Sequence, residues 1–287
     1  MTTVPAIEPL SLSTPRRLRI PPLVLFAIAV TAVVLVFAFV GHWIAPQDPL
    51  AQDLTQGVHG PGQGHWLGTD VLGRDVFSRV IAGTRQTLIG PICIAIAATI
   101  LGSSLGLIAG YREGVAGVVL NRFADFMHSI PHTLVIIVLV GVLKGTYWTA
   151  VGILIVFALP VQIRLVRSAT AVQARLPYVD AARTLGLSSK RIMARHVLPN
   201  VAPTIVTTFL LDFVGMIVAF SGLAYLGLGV QPGSDAWGTM LSDGRPLLFV
   251  NPWVSMAPAI MIVLTAVSAT LIGDWLYDRF SHGQTRR

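Results

Sequence analysis

Two carboxylates and an arginine stand close together in the segment HWLGTDVLGRD at residues 65–75. Asp70, Arg74 and Asp75 alternate in sign, and paired carboxylates are the groups that general acid–base catalysis uses. The sequence places no nucleophile and no metal-ligand cluster beside them. We therefore interpret the three residues as an ion-pair and hydrogen-bond knot that orders a loop, rather than as a catalytic pair.

The second group of polar residues is the segment DAARTLGLSSKRIMARHVLPN at residues 180–200. Asp180 at a helix start would interact favourably with the positive end of the helix dipole. Ala181 and Ala182 present almost no side chain, so a partner surface can come close. Gly186 can end this helix and permit a turn with a positive φ.

The rest of the segment predicts a further short helix. Ser188 and Ser189 could cap it, and Leu198 and Pro199 would close it. Its basic residues are Lys190, Arg191 and Arg195. A short helix-turn-helix of this kind can occupy a groove of another protein.

The composition around these segments is that of a polytopic membrane protein. Of 287 residues, 54% are hydrophobic and 11% charged, whereas a soluble domain carries about 25% charged residues. No G-x-x-x-x-G-K-[ST] phosphate loop occurs in the sequence, so the chain is not predicted to be a nucleotide hydrolase. The charge of +7 is not accompanied by a basic face interleaved with aromatic residues, so no nucleic-acid partner is predicted. Cys93, the only cysteine, can form no internal disulfide.

Apolar runs long enough to cross a bilayer of about 30 Å predict an all-α fold with six transmembrane helices in one bundle. They lie at residues 22–40, 87–111, 115–143, 147–165, 201–228 and 253–276. The first could instead be a cleavable signal peptide, but it is long and no small-x-small cleavage site follows it. Pro131 predicts a bend in the third span, and Pro160 a kink in the fourth. Gly102 and Gly106 predict close helix packing.

The charge distribution predicts the orientation. With both termini in the cytoplasm, fifteen of the 20 lysine and arginine residues lie on the cytoplasmic side and five outside, as the positive-inside rule requires. The predicted segments are a flexible cytoplasmic tail (1–21), a first transmembrane helix (22–41), an extracytoplasmic loop (42–86), a core of five helices (87–279) containing a cytoplasmic loop (168–200), and a short cytoplasmic tail (280–287).

Residues 180–200 resemble the coupling loop of binding-protein-dependent ABC importer permeases. That loop has the pattern EAA-x-x-x-G, followed further on by a hydrophobic-x-Leu-Pro ending. The matching positions are Asp180, Ala181, Ala182, Gly186, Leu198 and Pro199. Asp180 replaces the usual Glu, and His196 replaces the usual Ile beside Val197. The resemblance implies that these residues couple the chain to an ATPase.

Two further segments resemble the C-type permease subunits of dipeptide and oligopeptide importers. One precedes the second span, and the other, LGLGVQPGSDAWG at residues 226–238, follows the fifth. Together they give an extracytoplasmic family motif of Leu67, Gly68, Thr69, Asp70, Gly73, Arg74, Asp75, Gly227, Gly229, Trp237 and Gly238. Gly68 and Gly73 would provide turns. Trp237 is predicted to anchor the chain at the membrane interface.

Asp212 departs from that family, in which many members carry an acidic residue near the end of the fifth span, where this chain has Phe220. An ionisable group inside a span is expensive and usually faces a partner helix or a wet cavity. Two hypotheses stay open. Asp212 faces the translocation path or pairs across a subunit interface, or it is a neutral, protonated structural residue.

The resemblance implies a type I ABC importer permease-like fold and ATP-driven import of dipeptides or oligopeptides by alternating access. The chain itself would hold no catalytic residue, cofactor or metal, and ATP and Mg would be bound by two cytosolic ATPase subunits. Other expected partners are a homologous second permease in a heterodimer, an extracytoplasmic peptide-binding protein and the lipid bilayer of the bacterial cytoplasmic membrane. Nickel or another small solute is an alternative cargo. An ATP-independent secondary transporter or channel and a membrane scaffold are the alternatives of other classes.

Overall fold

The computed structural model describes residues 20–62, 64–112, 131–143 and 145–284, and residues 122, 125–127 and 129 between the second and third of these ranges. Regular structure in these residues is helical, apart from isolated bridges joining Gly62 to His65 and Thr69 to Asp75. The all-α prediction is confirmed. Predictions for the N-terminal tail before residue 20, for Lys144 and for the last three residues lie outside the described residues.

Nine α-helices have both ends within the described residues: α1 (Pro22–Ile44), α2 (Val76–Tyr111), α3 (His132–Val142), α4 (Tyr147–Gln173), α5 (Pro177–Thr184), α6 (Ser189–Ile192), α7 (Leu198–Tyr225), α8 (Trp237–Gly244) and α9 (Trp253–Gln284). A π-helical turn, Met193–Val197, joins α6 to α7, and a 3₁₀ turn, Arg245–Leu247, follows α8.

Within the described ranges, five helical segments are long and apolar enough to span a membrane: α1, α2, α4, the run Ser189–Tyr225, and Trp253–Phe280 within α9. The remaining predicted span, the third (115–143), is represented by α3, a shorter apolar helix that begins directly after Pro131. The first half of that predicted span lies mostly outside the described residues. The six-span prediction therefore agrees with five complete spans and one partial one.

The second span is longer than its apolar run, because α2 is one continuous helix of 36 residues. At 1.5 Å per residue it is about 54 Å long and exceeds the bilayer core. The Asp75 carboxylate starts it by accepting a hydrogen bond of 2.8 Å from the Ser78 N–H. The second span and the residues before it, from Val76 onward, thus form a single continuous helix.

A stripe of glycines on α2 packs directly against α4, and the two helices run parallel. A Cβ at Gly102 would lie 2.6 Å from Gln162 Cγ, and one at Gly110 would lie 2.6 Å from the Arg167 carbonyl oxygen. Gly106 is similarly tight, at 2.9 Å from the Ile163 carbonyl oxygen. The predicted close approach is present at the two expected glycines and continues one turn further.

These helices give the bundle two ends. The end that carries residues 45–75 and 226–252 is called the motif end, and the end that carries residues 174–197 is called the island end. Helices α2 and α4 run from the motif end to the island end, and α7 runs back.

Near the motif end, a tyrosine hydroxyl is inserted into the backbone of α2. Tyr147 donates a hydrogen bond of 2.8 Å to the Gln86 carbonyl and accepts one of 2.7 Å from the Gly90 N–H. These two backbone groups would bond each other in a regular helix. Pro91 follows, and a proline inside a helix disturbs the ladder at this point. The absence of a side chain at Gly90 allows the hydroxyl to approach, since a Cβ there would lie 2.9 Å from it.

Substitution of Tyr147 by phenylalanine is expected to lower stability by about 1–2 kcal/mol, because two buried backbone groups lose their shared partner. The measurement is the thermal unfolding midpoint of the purified protein in detergent. Tyr277→Phe is the matched control, since Tyr277 is 47% exposed on α9. Equal midpoints for the two variants would show that, without the hydroxyl, the Gly90 N–H bonds the Gln86 carbonyl directly and no stability is lost.

Candidate functional site

A cluster of five charged residues, three of them buried and two half-buried, lies at the motif end. We call it the charge cluster, and its members are Asp70, Arg74, Arg79, Asp235 and Asp243. Asp70 Oδ2 accepts from Arg74 Nε at 2.7 Å and from Arg79 Nη1 at 2.6 Å. Arg79 Nε donates to Asp235 Oδ1 at 2.8 Å. The predicted ion pair between Asp70 and Arg74 is present. Arg79 forms short ion pairs with two carboxylates, whereas Arg74 forms one.

The carboxylate of Asp243 completes the charge cluster at longer range. Its Oδ2 lies 3.8 Å from Arg79 Nη2 and 4.0 Å from Arg74 Nη2. Burial raises the pKa of Asp243, and the two neighbouring arginines oppose that shift. Three carboxylates therefore share two arginines, and removal of either arginine takes one of its two ion-pair partners from the fully buried Asp70.

Asp75 was predicted in the same knot, and the structure places it elsewhere. Its carboxylate caps α2, and its Oδ1 lies 2.9 Å from His65 Nδ1. The start of a helix has backbone N–H groups without intrahelical partners. A carboxylate that accepts from them is placed more favourably than it would be beside a second carboxylate. A shared catalytic pair of Asp70 and Asp75 finds no support in this arrangement.

The charge cluster joins two segments that are far apart in sequence. Arg74 Nη1 donates to the Gly233 carbonyl at 2.9 Å, and Arg79 Nη2 donates to the Ser234 carbonyl at 3.1 Å. Gly83 on α2 has the Asp235 carbonyl oxygen directly against its Cα, with no room for a side chain. The two halves of the extracytoplasmic motif thus form one unit.

Trp237 was predicted to be a membrane-interface anchor, and this prediction is wrong. Its side chain is completely buried, and its Nε1 donates to the Val80 carbonyl at 3.0 Å. Its backbone N–H donates to Thr87 Oγ1 at 2.9 Å. Gly238, the next residue, packs against the Ser221 carbonyl on α7. The indole therefore fastens α8 to α2, and it is not available to lipid.

Asn251, just before α9, holds the loop that precedes α2. Its Nδ2 lies 3.0 Å from the His59 carbonyl, 3.0 Å from the Leu67 carbonyl and 3.1 Å from the Thr69 carbonyl. Gly68 has φ +75° and lies against Asn251, so a side chain there would be excluded by both conformation and space. The sequence analysis missed Asn251, which carries no motif signal of its own.

The remaining motif residues support the same unit. Gly73 and Gly229 adopt positive φ and lie against Asp53 and Ala150, which confirms the predicted turn at Gly73. Gly227 also has positive φ, with open space around it. Thr69 Oγ1 donates to the Gly57 carbonyl at 2.7 Å and accepts from the His59 N–H at 2.9 Å.

At the island end, α5 is fixed to the spanning helices through an apolar contact surface. Val179 and Ala182 are buried in a cluster with Tyr111 of α2, Val166 of α4 and Val201 of α7. Asp180 and Ala181 are exposed. The prediction that both alanines leave room for a partner is wrong for Ala182, whose small side chain instead lets α5 lie close to its own chain.

The second half of the island differs from its prediction. The chain does not close a helix at Leu198 and Pro199; it passes through the π-helical turn into α7, which begins at Leu198. Proline is tolerated in the first turn of a helix, where its missing N–H is not needed. Ser188 stands at the N-cap of α6 without a side-chain capping bond.

Gly186 and Leu185 form the exposed turn of the island. Gly186 has φ +76°, which confirms the predicted turn. Leu185 beside it is 81% exposed, and no described atom lies within 4 Å of the position of a Cβ at Gly186. The sequence analysis passed over Leu185, although an apolar residue immediately before a helix-ending glycine is a usable signal.

Asp212 lies near the middle of α7 and lines a cavity of about 500 Å³ between α3, α4 and α7. Its Oδ2 has no hydrogen-bond partner in the described part of the chain. Phe220, where relatives were expected to carry an acidic residue, is buried and packs edge-on against Tyr147, with ring centroids 4.9 Å apart.

Comparison with known proteins agrees with this geometry. The family model described as "Binding-protein-dependent transport system inner membrane component" matches residues 102–286. The chain is 34% identical over 284 residues to the glutathione transport system permease protein GsiD of Pectobacterium atrosepticum, covering 97% of this chain and 94% of the relative. It is 33% identical over 257 residues to the probable D,D-dipeptide transport system permease protein DdpC of Escherichia coli, covering 90% and 86%.

A solved structure shares the fold. A chain of the MetNI methionine ABC transporter, in an inward-facing conformation, matches with a TM-score of 0.56 and 18% identity. The match covers 70% of this chain and 95% of that chain.

Proposed function

The chain belongs to the family of binding-protein-dependent transport system inner membrane components and has the fold of a type I ABC importer permease, and on that premise we propose that it forms half of the pathway of an ATP-driven importer of dipeptides or oligopeptides. It is a multi-pass membrane subunit and not the ATPase. The observation that carries the proposal is the match over nearly the whole chain to permeases named for glutathione and for D,D-dipeptides.

The partners follow from this role. Two cytosolic ATPase subunits bind ATP and Mg, an extracytoplasmic binding protein delivers the peptide, and a homologous second permease completes a heterodimer. The island end faces the cytoplasm together with both termini, in keeping with the positive-inside count. The motif end faces the binding protein.

The packing at the island end supports a coupling role. Because α5 is packed onto α2, α4 and the start of α7, a displacement of α5 moves all three spanning helices together. Arg183 strengthens this attachment, since its guanidinium lies 5.3 Å from the centre of the Tyr111 ring and its Nε donates to the Tyr111 hydroxyl at 3.4 Å. Closure of the ATPases on nucleotide would thus be transmitted to the pathway through Ala181, Leu185 and Gly186.

The test is uptake by proteoliposomes that contain the complete complex. We expect uptake of tri-alanine to require internal ATP and external binding protein, and to persist when a protonophore collapses the proton gradient. Uptake by this chain alone, driven by a pH gradient, would instead identify a secondary transporter. ATP-dependent uptake of nickel without uptake of peptide would identify the alternative cargo.

A further inference from the structure

The cavity beside Asp212 combines an apolar wall with a single carboxylate. Its described lining comes from α3, α4 and α7 and includes Ile136, Phe157, Met216 and Leu223. Asp212 is the only Asp, Glu, Lys or Arg among the described lining residues, and His132 is the only other ionisable one. Its volume of about 500 Å³ falls in the range of small-ligand pockets, about 300–1,000 Å³.

The Asp212 carboxylate has no partner that would justify its position. Oδ2 is buried and makes no hydrogen bond, and no ion pair of Asp212 occurs in the described part of the chain. The residue as a whole is only half-buried, and it lines the cavity. A polar group without a partner in such a place costs free energy, and ionisable groups inside spans characteristically mark solute paths. The neighbouring lining residues on α7, Gly215, Met216 and Ala219, are apolar and offer the carboxylate no side-chain partner.

We propose that the cavity is a subsite of the pathway, in which the Asp212 carboxylate binds the ammonium group of the peptide while the apolar wall accommodates its side chains. The inference rests on the proposed function and deepens it. An α-amino group is protonated at neutral pH, since its ordinary pKa is about 7.7–8.0. It therefore supplies both the charge and the N–H donors that the carboxylate lacks.

The experiment measures equilibrium binding to the purified complex of both permeases and the ATPases, with the binding protein left out. The probes are tri-alanine and N-acetyl-tri-alanine, which differ in the ammonium group. We expect the wild-type complex to bind tri-alanine about tenfold more tightly, the fold-change of one ion pair that is partly removed from water. Asp212→Asn should make the two affinities equal, whereas Asp212→Glu should keep the preference.

Thr207→Val is the matched control on the same helix. Thr207 bonds the Pro203 carbonyl of its own helix at 3.0 Å and is not among the lining residues of the cavity, so its variant should keep the wild-type preference. Equal binding of both peptides by the wild type would overturn the inference, as would an equal loss of both in Asp212→Asn. Absence of binding, in a complex that still imports tri-alanine with the binding protein, would overturn it as well.

The failure of the proposed function has a different signature. In that case the wild-type complex takes up no tri-alanine even with ATP and binding protein present, and the subsite inference fails with it. If uptake is intact but the wild-type complex binds tri-alanine no more tightly than N-acetyl-tri-alanine, only the subsite inference fails.

Discussion

Replacement of Arg79 by leucine is expected to destabilise the folded chain by about 3–5 kcal/mol, because it removes the shared partner of the buried Asp70 carboxylate and the half-buried Asp235 carboxylate. Arg79 is fully buried and donates to both Asp70 and Asp235. After its removal Asp70 keeps only Arg74, and Asp235 loses the one ion pair found for it among the described residues. The thermal midpoint in detergent should fall by roughly 10 °C.

Two further variants separate charge from geometry. Arg79→Lys should fall between the wild type and Arg79→Leu, since an ammonium group keeps the charge but lacks the planar fork that reaches both carboxylates. Arg85→Leu, at an exposed arginine on the same helix, should leave the midpoint unchanged. If Arg79→Leu behaved like Arg85→Leu, the charge cluster would not hold the two halves of the motif together.

The second large effect concerns docking. Leu185→Asp is expected to reduce the affinity of the permease pair for its ATPase by about 30-fold or more, the effect of losing a contact of about 2 kcal/mol at the centre of an interface. Leu185 is 81% exposed, so its replacement should leave the folded permease intact. The measurement is the amount of ATPase that copurifies with the permeases, together with the thermal midpoint.

Leu54→Asp is the control for that variant. Leu54 is 71% exposed and lies in the loop at the motif end, so the same substitution introduces the same charge away from the ATPase. Its complex should retain a full complement of ATPase. Equal copurification by Leu185→Asp and Leu54→Asp would remove Leu185 from the interface.

Local sequence patterns predicted the helices and the turns well. The spacing of Gly102 and Gly106 predicted the approach of α2 to another helix, because a missing side chain has the same effect whatever the partner. The turns at Gly73 and Gly186 were predicted for a similar reason, since positive φ is a property of one residue.

These local patterns could not identify residues that pair with each other across long sequence distances. Arg79 pairs with Asp235, 156 residues away, and nothing in either local segment identifies the other. Trp237 was assigned to the membrane interface from its residue type. It is buried because the chain around it packs closely, with Gly83 against the Asp235 carbonyl and Gly238 against the Ser221 carbonyl. These contacts depend on how α2, α7 and α8 pack.

The prediction that a helix ends at Leu198 and Pro199 was wrong for a different reason. A proline suggests the end of a helix, but it is equally suited to the first turn. The π-helical turn before it lets the chain continue into α7 without a break. The sequence pattern could not distinguish an end from a beginning.

The central claim is that this chain couples a solute pathway to separate ATPases through the island. Its most direct test is ATP hydrolysis by the complete complex, with and without peptide-loaded binding protein, for the wild type and for Gly186→Val. We expect loaded binding protein to stimulate the wild type, and we expect the valine, forced into a conformation with φ +76°, to abolish that stimulation. Absence of any associated ATPase, or hydrolysis that responds identically in both proteins, would contradict the account.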